Sequence, residues 1–288
     1  MPRAVNALRV EDIIDLDRYP VHDPARERYR DLIARCKDEL AGKAACDFPG
    51  FLRSEVLGLV ASEVAPLVEQ GFRHTCEHNV YFVNDDPALP PEHPARFLQK
   101  SEKYNIAGDL IARDALIRRV YEYEPLRTFL AAVIGEDTLY LQADPLSSLN
   151  VMIYGKGDRF GWHYDRTPYS VTILLQEPDA GGAFQYVPYL RKRRTDAYGD
   201  GVNEQVLGGP EDEGFDKLSA ILRGSERDVV DLPLAAGTMS ILFGRHSLHR
   251  VTEVESARPR IMAILAYEPR PEVVFNDETR IRFYGRAR

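Results

Sequence analysis

The chain has 288 residues, of which 44% are hydrophobic and 28% charged, with a formal net charge of −8. This is the balance of an ordinary globular protein, long enough to bury a substantial core. The negative charge argues against a nucleic-acid partner, which needs a basic face, and no window approaches the eighteen apolar residues of a membrane span.

The N-terminus, Met1-Pro2-Arg3-Ala4-Val5-Asn6, leads into acidic residues without the apolar stretch of a secretory signal. Residues 23–40 carry helical spacing, with Tyr29, Ile33, Cys36 and Leu40 on one side. A short extended piece from Ala45 to Leu52 contains Pro49-Gly50. A second helical pattern runs from Ser54 to Glu69, with Ser54 as the expected N-cap. The stretch from Asp85 to Pro94 reads as a loop, and a third helical pattern lies near Asp114 to Ile134. Cys36, Cys46 and Cys76 show no C-x-x-C spacing, so neither a disulfide framework nor a thiolate zinc site is expected; reduced, buried thiols suit a cytoplasmic protein.

From Leu139 onward, short β-type runs alternate with turn residues: Ser148 to Tyr154, Ser170 to Gln176, Ala183 to Val187, Thr238 to Phe243, Leu248 to Val254 and Arg260 to Tyr267. A polar, Gly-rich insertion at 191–231 interrupts them. It opens with the basic cluster Arg191, Lys192, Arg193 and Arg194, carries a helical pattern from Phe215 to Leu222, and is a natural place for a lid. No linker separates the two halves. The expected architecture is α+β, mainly β, in one domain over 1–288. Residues 139–288 form a jelly-roll (double-stranded β-helix, cupin-like) core, and 1–138 give mainly helical support packed outside it.

The most informative segment is Tyr154-x-x-Gly157-x-x-Phe160-x-x-His163-Tyr164-Asp165. On an extended chain, residues two apart face one side, so His163 and Asp165 present an imidazole and a carboxylate to one point. Two histidines and a carboxylate on one face of an octahedral metal leave three positions open, which suits non-heme Fe(II). His249 opens the strand after Thr238 to Phe243, and Arg260 follows after ten residues. A hairpin there returns a guanidinium able to pair bidentately with the distal carboxylate of a dicarboxylic cosubstrate. His246 competes with His249, but the spacing to Arg260 favours His249; Arg258 replaces Arg260 only in a different hairpin register.

These motifs resemble the Fe(II)/2-oxoglutarate dioxygenase superfamily over at least residues 148–267. The glycine and aromatic spacing before His163 is similar to that of the prolyl-hydroxylase and DNA-demethylase branches. A fuller resemblance, through Arg18 to Asp23, His78-Asn79-x-Tyr81-Phe82, Gly161-Trp162-His163 and Ser247 to Val251, is to the free-amino-acid halogenases and hydroxylases typified by lysine halogenases. The resemblance implies Fe(II), 2-oxoglutarate and O2 as cofactor and cosubstrates, with Tyr154 contacting 2-oxoglutarate beside Arg260. In the halogenating members Gly or Ala replaces the metal carboxylate and opens a site for chloride. Asp165 therefore implies hydroxylation of an unactivated C–H bond, with release of succinate and CO2.

The expected substrate is a free amino acid or a similarly small polar metabolite. Arg166, beside the metal carboxylate, is a candidate clamp for a substrate carboxylate or phosphate. His74, His78 and Tyr81 are candidates for the substrate mouth, against the plainer reading of packing residues. Trp162 is expected to pack beneath the metal strand, and Phe184 and Tyr186 to belong to the core. Desaturation or cyclisation at the same iron, a non-enzymatic jelly-roll binding protein, and a macromolecular substrate are the competing readings.

Overall fold

The computed structural model describes residues 7–191, 214–225 and 227–288. Thirteen strands occur among them: β1 (Ala45–Phe48), β2 (Phe72–His78), β3 (Gln99–Ile106), β4 (Tyr140–Leu141), β5 (Leu149–Tyr154), β6 (Phe160–His163), β7 (Ser170–Gln176), β8 (Phe184–Val187), β9 (Val230–Leu232), β10 (Met239–Leu242), β11 (Leu248–Val251), β12 (Arg260–Leu265) and β13 (Tyr267–Glu268). The helices are α1 (Val10–Ile13), α2 (Glu27–Lys43), α3 (Ser54–Val64), α4 (Leu116–Tyr121), α5 (Glu124–Ile134), α6 (Phe215–Leu222) and α7 (Asp277–Tyr284).

A seven-stranded sheet runs β1-β10-β7-β12-β5-β3-β2, and a four-stranded sheet runs β6-β11-β8-β9. All their pairings are antiparallel. The result is a mainly β, α+β jelly roll. Alternation along the large sheet divides its labour. Val151, Ile153, Val171, Ile173, Ile241 and Ala263 are buried with the helices α2, α3, α4 and α5 in one apolar core. Each such aliphatic side chain contributes about 1.5–3 kcal/mol by leaving water. The intervening residues point the other way. Direct cross-strand partners are His74 with Lys103, Asn105 with Met152, and Tyr154 with Arg260, so these six share the face opposite the helices.

The first half is less helical than its composition suggests. Three strands within residues 1–138 join the large sheet, two of them at its β3-β2 edge. Both are rich in charged and polar residues, which hides a period-2 pattern that here runs between two protein surfaces. The helix expected near Asp114 to Ile134 is two, α4 and α5, interrupted at Glu122 and Tyr123, with Pro125 supplying the second start. Ser54 is the first helical residue of α3, with Arg53 at the N-cap, so the capping role expected of Ser54 is not made. Helix α6 follows the expected bounds. Residues 192–213 of the expected lid, including Lys192, Arg193 and Arg194, lie outside the described residues. No helix among the described residues is long and apolar enough to cross a membrane.

Candidate metal centre

His163 ends β6 and His249 lies directly opposite it on β11. The two imidazoles are 4.1 Å apart between centroids, both buried. Asp165 follows β6 in an irregular segment, held by its own N–H to the Gly244 carbonyl at 3.1 Å. Its Oδ1 lies 3.8 Å from His163 Nε2 and 3.4 Å from His249 Nε2. One donor atom from each residue lies within 4.8 Å of the other two, and no other group of three His, Cys, Asp or Glu side chains meets that condition among the described residues.

The orientation of each imidazole is fixed from behind. His163 Nδ1–H donates to the Gly161 carbonyl at 2.8 Å, and His249 Nδ1–H to the Ser247 carbonyl at 2.9 Å. A carbonyl only accepts, so in the neutral rings, the form that binds a metal, both Nε2 atoms carry the lone pair and face the shared point. Burial, followed by the neighbouring His249, holds His163 well below the ordinary histidine range. At His249 burial works in the same sense, but the Asp165 charge and its hydrogen bond outweigh it and raise the group. Gly244 makes room for the carboxylate: a Cβ there would lie 2.0 Å from Asp165 Oδ2. Two neutral imidazole nitrogens and one carboxylate oxygen are the donor set of a facial metal site.

Aromatic rings wall the cluster. Phe160 stacks on the His163 ring at 3.8 Å, Phe184 lies 5.7 Å from His249, and Phe82 lies 5.6 Å from His163. Tyr154 packs with Phe160, Phe184 and Met152, close enough to feel the Asp165 charge. Burial first, opposed by the Arg260 charge and helped by Asp158 and then Asp165, pushes the Tyr154 phenol above its usual range. Arg260, opposite Tyr154, is only 3% exposed, and its Nε and Nη2 have no hydrogen-bond partner. Burial lowers its guanidinium to about 10, so it remains charged at neutral pH. A buried cation with unused donors costs several kcal/mol unless an anion meets it, and this one stands opposite Tyr154, whose ring packs with the Phe160 and Phe184 that wall the cluster.

The β5–β6 turn that delivers these residues is anchored by Asp158, whose buried carboxylate receives the Gly155 N–H at 2.8 Å and both Arg73 nitrogens at 2.7 and 2.6 Å. Trp162 is buried on the far side of β6, beneath the Arg250 guanidinium at 4.5 Å, as its position suggested. His246 is outside the cluster.

The proposed substrate contacts separate. His74 and His78 are buried with both ring nitrogens engaged. His74 bonds the Arg282 carbonyl and the Cys76 sulfur, and His78 the Asn79 carbonyl and the Ser101 hydroxyl. Burial lowers both to about 4, so they are neutral structural groups with no nitrogen left for a substrate. Tyr81 stacks on Tyr164 at 6.0 Å, beneath Arg191. Arg166 remains at the rim, exposed.

Several residues escaped the sequence reading. Asn79, fully buried, accepts from Tyr81 N–H and Val83 N–H and donates to the Val83 and Ala95 carbonyls. This knot holds Phe82 at φ 56°, a left-handed conformation rare for a bulky side chain, and stacks it on His78 at 4.4 Å. The adjacent His78-Asn79 pair was the available signal. Lys103 has no such signal. It is completely buried, its Nζ lacks a hydrogen-bond partner, and it sits 3.4 Å over the Phe160 ring. His163 must cover the opposite face of that ring, since both cannot occupy one side.

A family model described as Halogenase D matches residues 29–278. No curated protein matches the chain. Among solved structures, the epimerase SnoN in complex with Fe3+, alpha ketoglutarate and nogalamycin RO superposes with a TM-score of 0.55 at 15% identity, over 83% of this chain and 84% of that one. AviO1 from Streptomyces viridochromogenes Tue57 gives 0.52 at 14%, over 84% and 96%. The non-heme alpha ketoglutarate dependent carbocyclase SnoK from nogalamycin biosynthesis gives 0.50 at 13%, over 83% and 85%. At these identities the likeness is one of fold.

Proposed function

Because the chain belongs to the halogenase D family and has the fold of the iron- and 2-oxoglutarate-dependent oxygenases, we propose that it hydroxylates a C–H bond of a free amino acid or similarly small polar metabolite. Fe(II) would be held by His163, Asp165 and His249, and with O2 and 2-oxoglutarate it supplies the oxidising chemistry, releasing succinate and CO2. The observation that carries this reading is the buried Arg260 with its unused Nε and Nη2. A structural metal site has no need of such a group, whereas a dicarboxylic cosubstrate has one carboxylate to spare for it.

The chain's own residues have definite tasks. Gly161 and Ser247 carbonyls keep the two imidazoles in the ligating tautomer. Arg260 binds the distal carboxylate of 2-oxoglutarate, with the Tyr154 hydroxyl beside it to orient the chain of the cosubstrate. Phe160, Phe184 and Met152 keep water from the same volume. Asp165 decides the outcome against chlorination: its carboxylate fills the coordination position a halide would need and adds a negative charge there.

Anaerobic addition of Fe(II) and 2-oxoglutarate should give the visible charge-transfer band of the chelate. Arg260→Ala should weaken 2-oxoglutarate binding by roughly 100-fold, from the loss of a bidentate charge-assisted pair. Unchanged 2-oxoglutarate affinity in that variant would count against the reading. With an amino-acid panel and chloride present, products should gain oxygen only, and a chlorinated product would overturn the role of Asp165.

A further inference from the structure

Lys103 is a buried cation that the cosubstrate site does not use. Its side chain is 0% exposed, and its Nζ has no hydrogen-bond partner. On β3 it stands directly across from His74 of β2 and shares a strand face with Asn105, which lies opposite Met152 of β5. That is the face away from the helices. The Nζ sits 3.4 Å from the centre of the Phe160 ring. Phe160 in turn stacks on His163, at 3.8 Å between centroids and 22° from parallel. An ammonium and a ligand imidazole therefore flank a single benzene ring, one on each face.

This position excludes the ordinary tasks of a lysine. Without a hydrogen-bond partner, it has no carboxylate to neutralise it. The titratable groups nearest it are His74, Cys76 and His78 on β2, Tyr154 on β5 and His163 beyond the ring. Burial is the largest influence on each and favours its neutral form, so none supplies a countercharge. Lys103 cannot touch a substrate or cosubstrate either, because it is sealed from solvent and Phe160 stands between it and His163. An aromatic face recovers part of what burying an ammonium costs, and not all of it. What is left to the group is its field, which acts across one ring in an interior where screening is weak.

We propose that Lys103 is a positioning residue for the iron: it holds Phe160 against the His163 ligand and sets a positive field that keeps the site ferrous. This rests on the oxygenase reading given above, in which His163, Asp165 and His249 hold Fe(II). A fixed positive charge opposes further positive charge at the cluster, so it disfavours a trivalent ion more than a divalent one. At an effective dielectric near 20, one unit of charge across such a stack alters the ratio of the two affinities by about tenfold or more.

Lys103→Met and Lys103→Gln remove the charge and keep a chain of similar reach, and Lys103→Arg keeps the charge. Circular dichroism checks each fold, and either neutral variant suffices if the other fails to fold. Each protein is loaded anaerobically with Fe(II) at pH 6, below the value of about 7 to which burial lowers the ammonium. The reduction potential of the bound iron is then measured by mediated spectroelectrochemistry. In the neutral variants Fe(III) should gain on Fe(II) by about tenfold or more, which is a fall of about 59 mV or more in the one-electron potential. Lys103→Arg should stay close to wild type. A lysine that merely packs Phe160 would change both affinities by one factor and leave the potential where it was. An unmoved potential in the neutral variants, or an arginine variant that falls as far as they do, would overturn the proposal. The chelate band with 2-oxoglutarate is recorded separately on the wild type. Its absence would sink the oxygenase reading while the potentials, measured with iron alone, still decide the role of Lys103; a wild type that binds no iron would end both.

Discussion

Gly244 illustrates how one missing methyl group sustains a metal ligand. The Asp165 carboxylate lies where a Cβ on residue 244 would stand, and the backbones of the two residues are already joined by a hydrogen bond. Gly244→Ala should therefore push the carboxylate aside and weaken metal binding by about 10–100-fold, the usual cost of disturbing what supports a ligand. Far-UV circular dichroism should stay native; a variant that binds metal normally would show that Asp165 has another place to go.

Lys103 carries a different liability. Burial lowers its ammonium from the ordinary 10.5 to about 7, although the Phe160 ring partly compensates the charge. The unfolded chain keeps this proton up to about pH 10.5, the folded chain only up to about pH 7. The penalty is thus complete below pH 7 and disappears as pH rises toward 10.5. Lys103→Met should stabilise the protein by on the order of a few kcal/mol at pH 6, with the gain shrinking by pH 9. Denaturant melts at the two pH values measure this, and a pH-independent difference would show that the lysine is neutral throughout. A buried lysine kept at such a cost beside a metal site is the kind of local inconsistency that marks function.

At the level of elements, the loop between β2 and β3 depends on a single side chain. Asn79 satisfies three backbone groups of Val83 and Ala95 and the Tyr81 N–H, and so sustains the left-handed Phe82. Asn79→Ala should cost on the order of 3 kcal/mol and loosen the wall that Phe82 gives His163, visible as a lowered Tm and faster proteolysis near residue 82. The short strands of the second half were legible because each shows apolar runs bounded by Gly or Pro turns, and His163, Asp165 and His249 were legible because ligand spacing is local. β2 and β3 were not. Arg73, His74, Glu77, Lys100, Glu102 and Lys103 deprive them of a visible apolar alternation, so the half that holds them reads as mainly helical support. The hold on α7 was also invisible: it is tertiary, made by His74 and Asn105 on a helix end far away in sequence.

For the molecule as a whole, the decisive division is between the two faces of the large sheet. One is sealed by α2, α3, α4 and α5 and supplies the bulk of the apolar core, while the other turns Tyr154, Arg260, Lys103 and His74 toward the small sheet. The small sheet has a smaller core, in which Trp162, Val187 and Leu248 are buried with Leu218, Ile221 and Leu222 of α6, and its two metal-site histidines sit on one rung between β6 and β11. An ion gripping both, together with the residue anchored on Gly244, would act as a rivet through that rung. Saturating metal at about 100 times its Kd should then raise stability by about 2.7 kcal/mol. Amide exchange should slow mainly along β6 and β11, while β5 and β12 exchange as before. Chelation should let the thin sheet fray while the thick one stands, so metal loss would unmake the catalytic half first and leave the helical scaffold ready to be recharged.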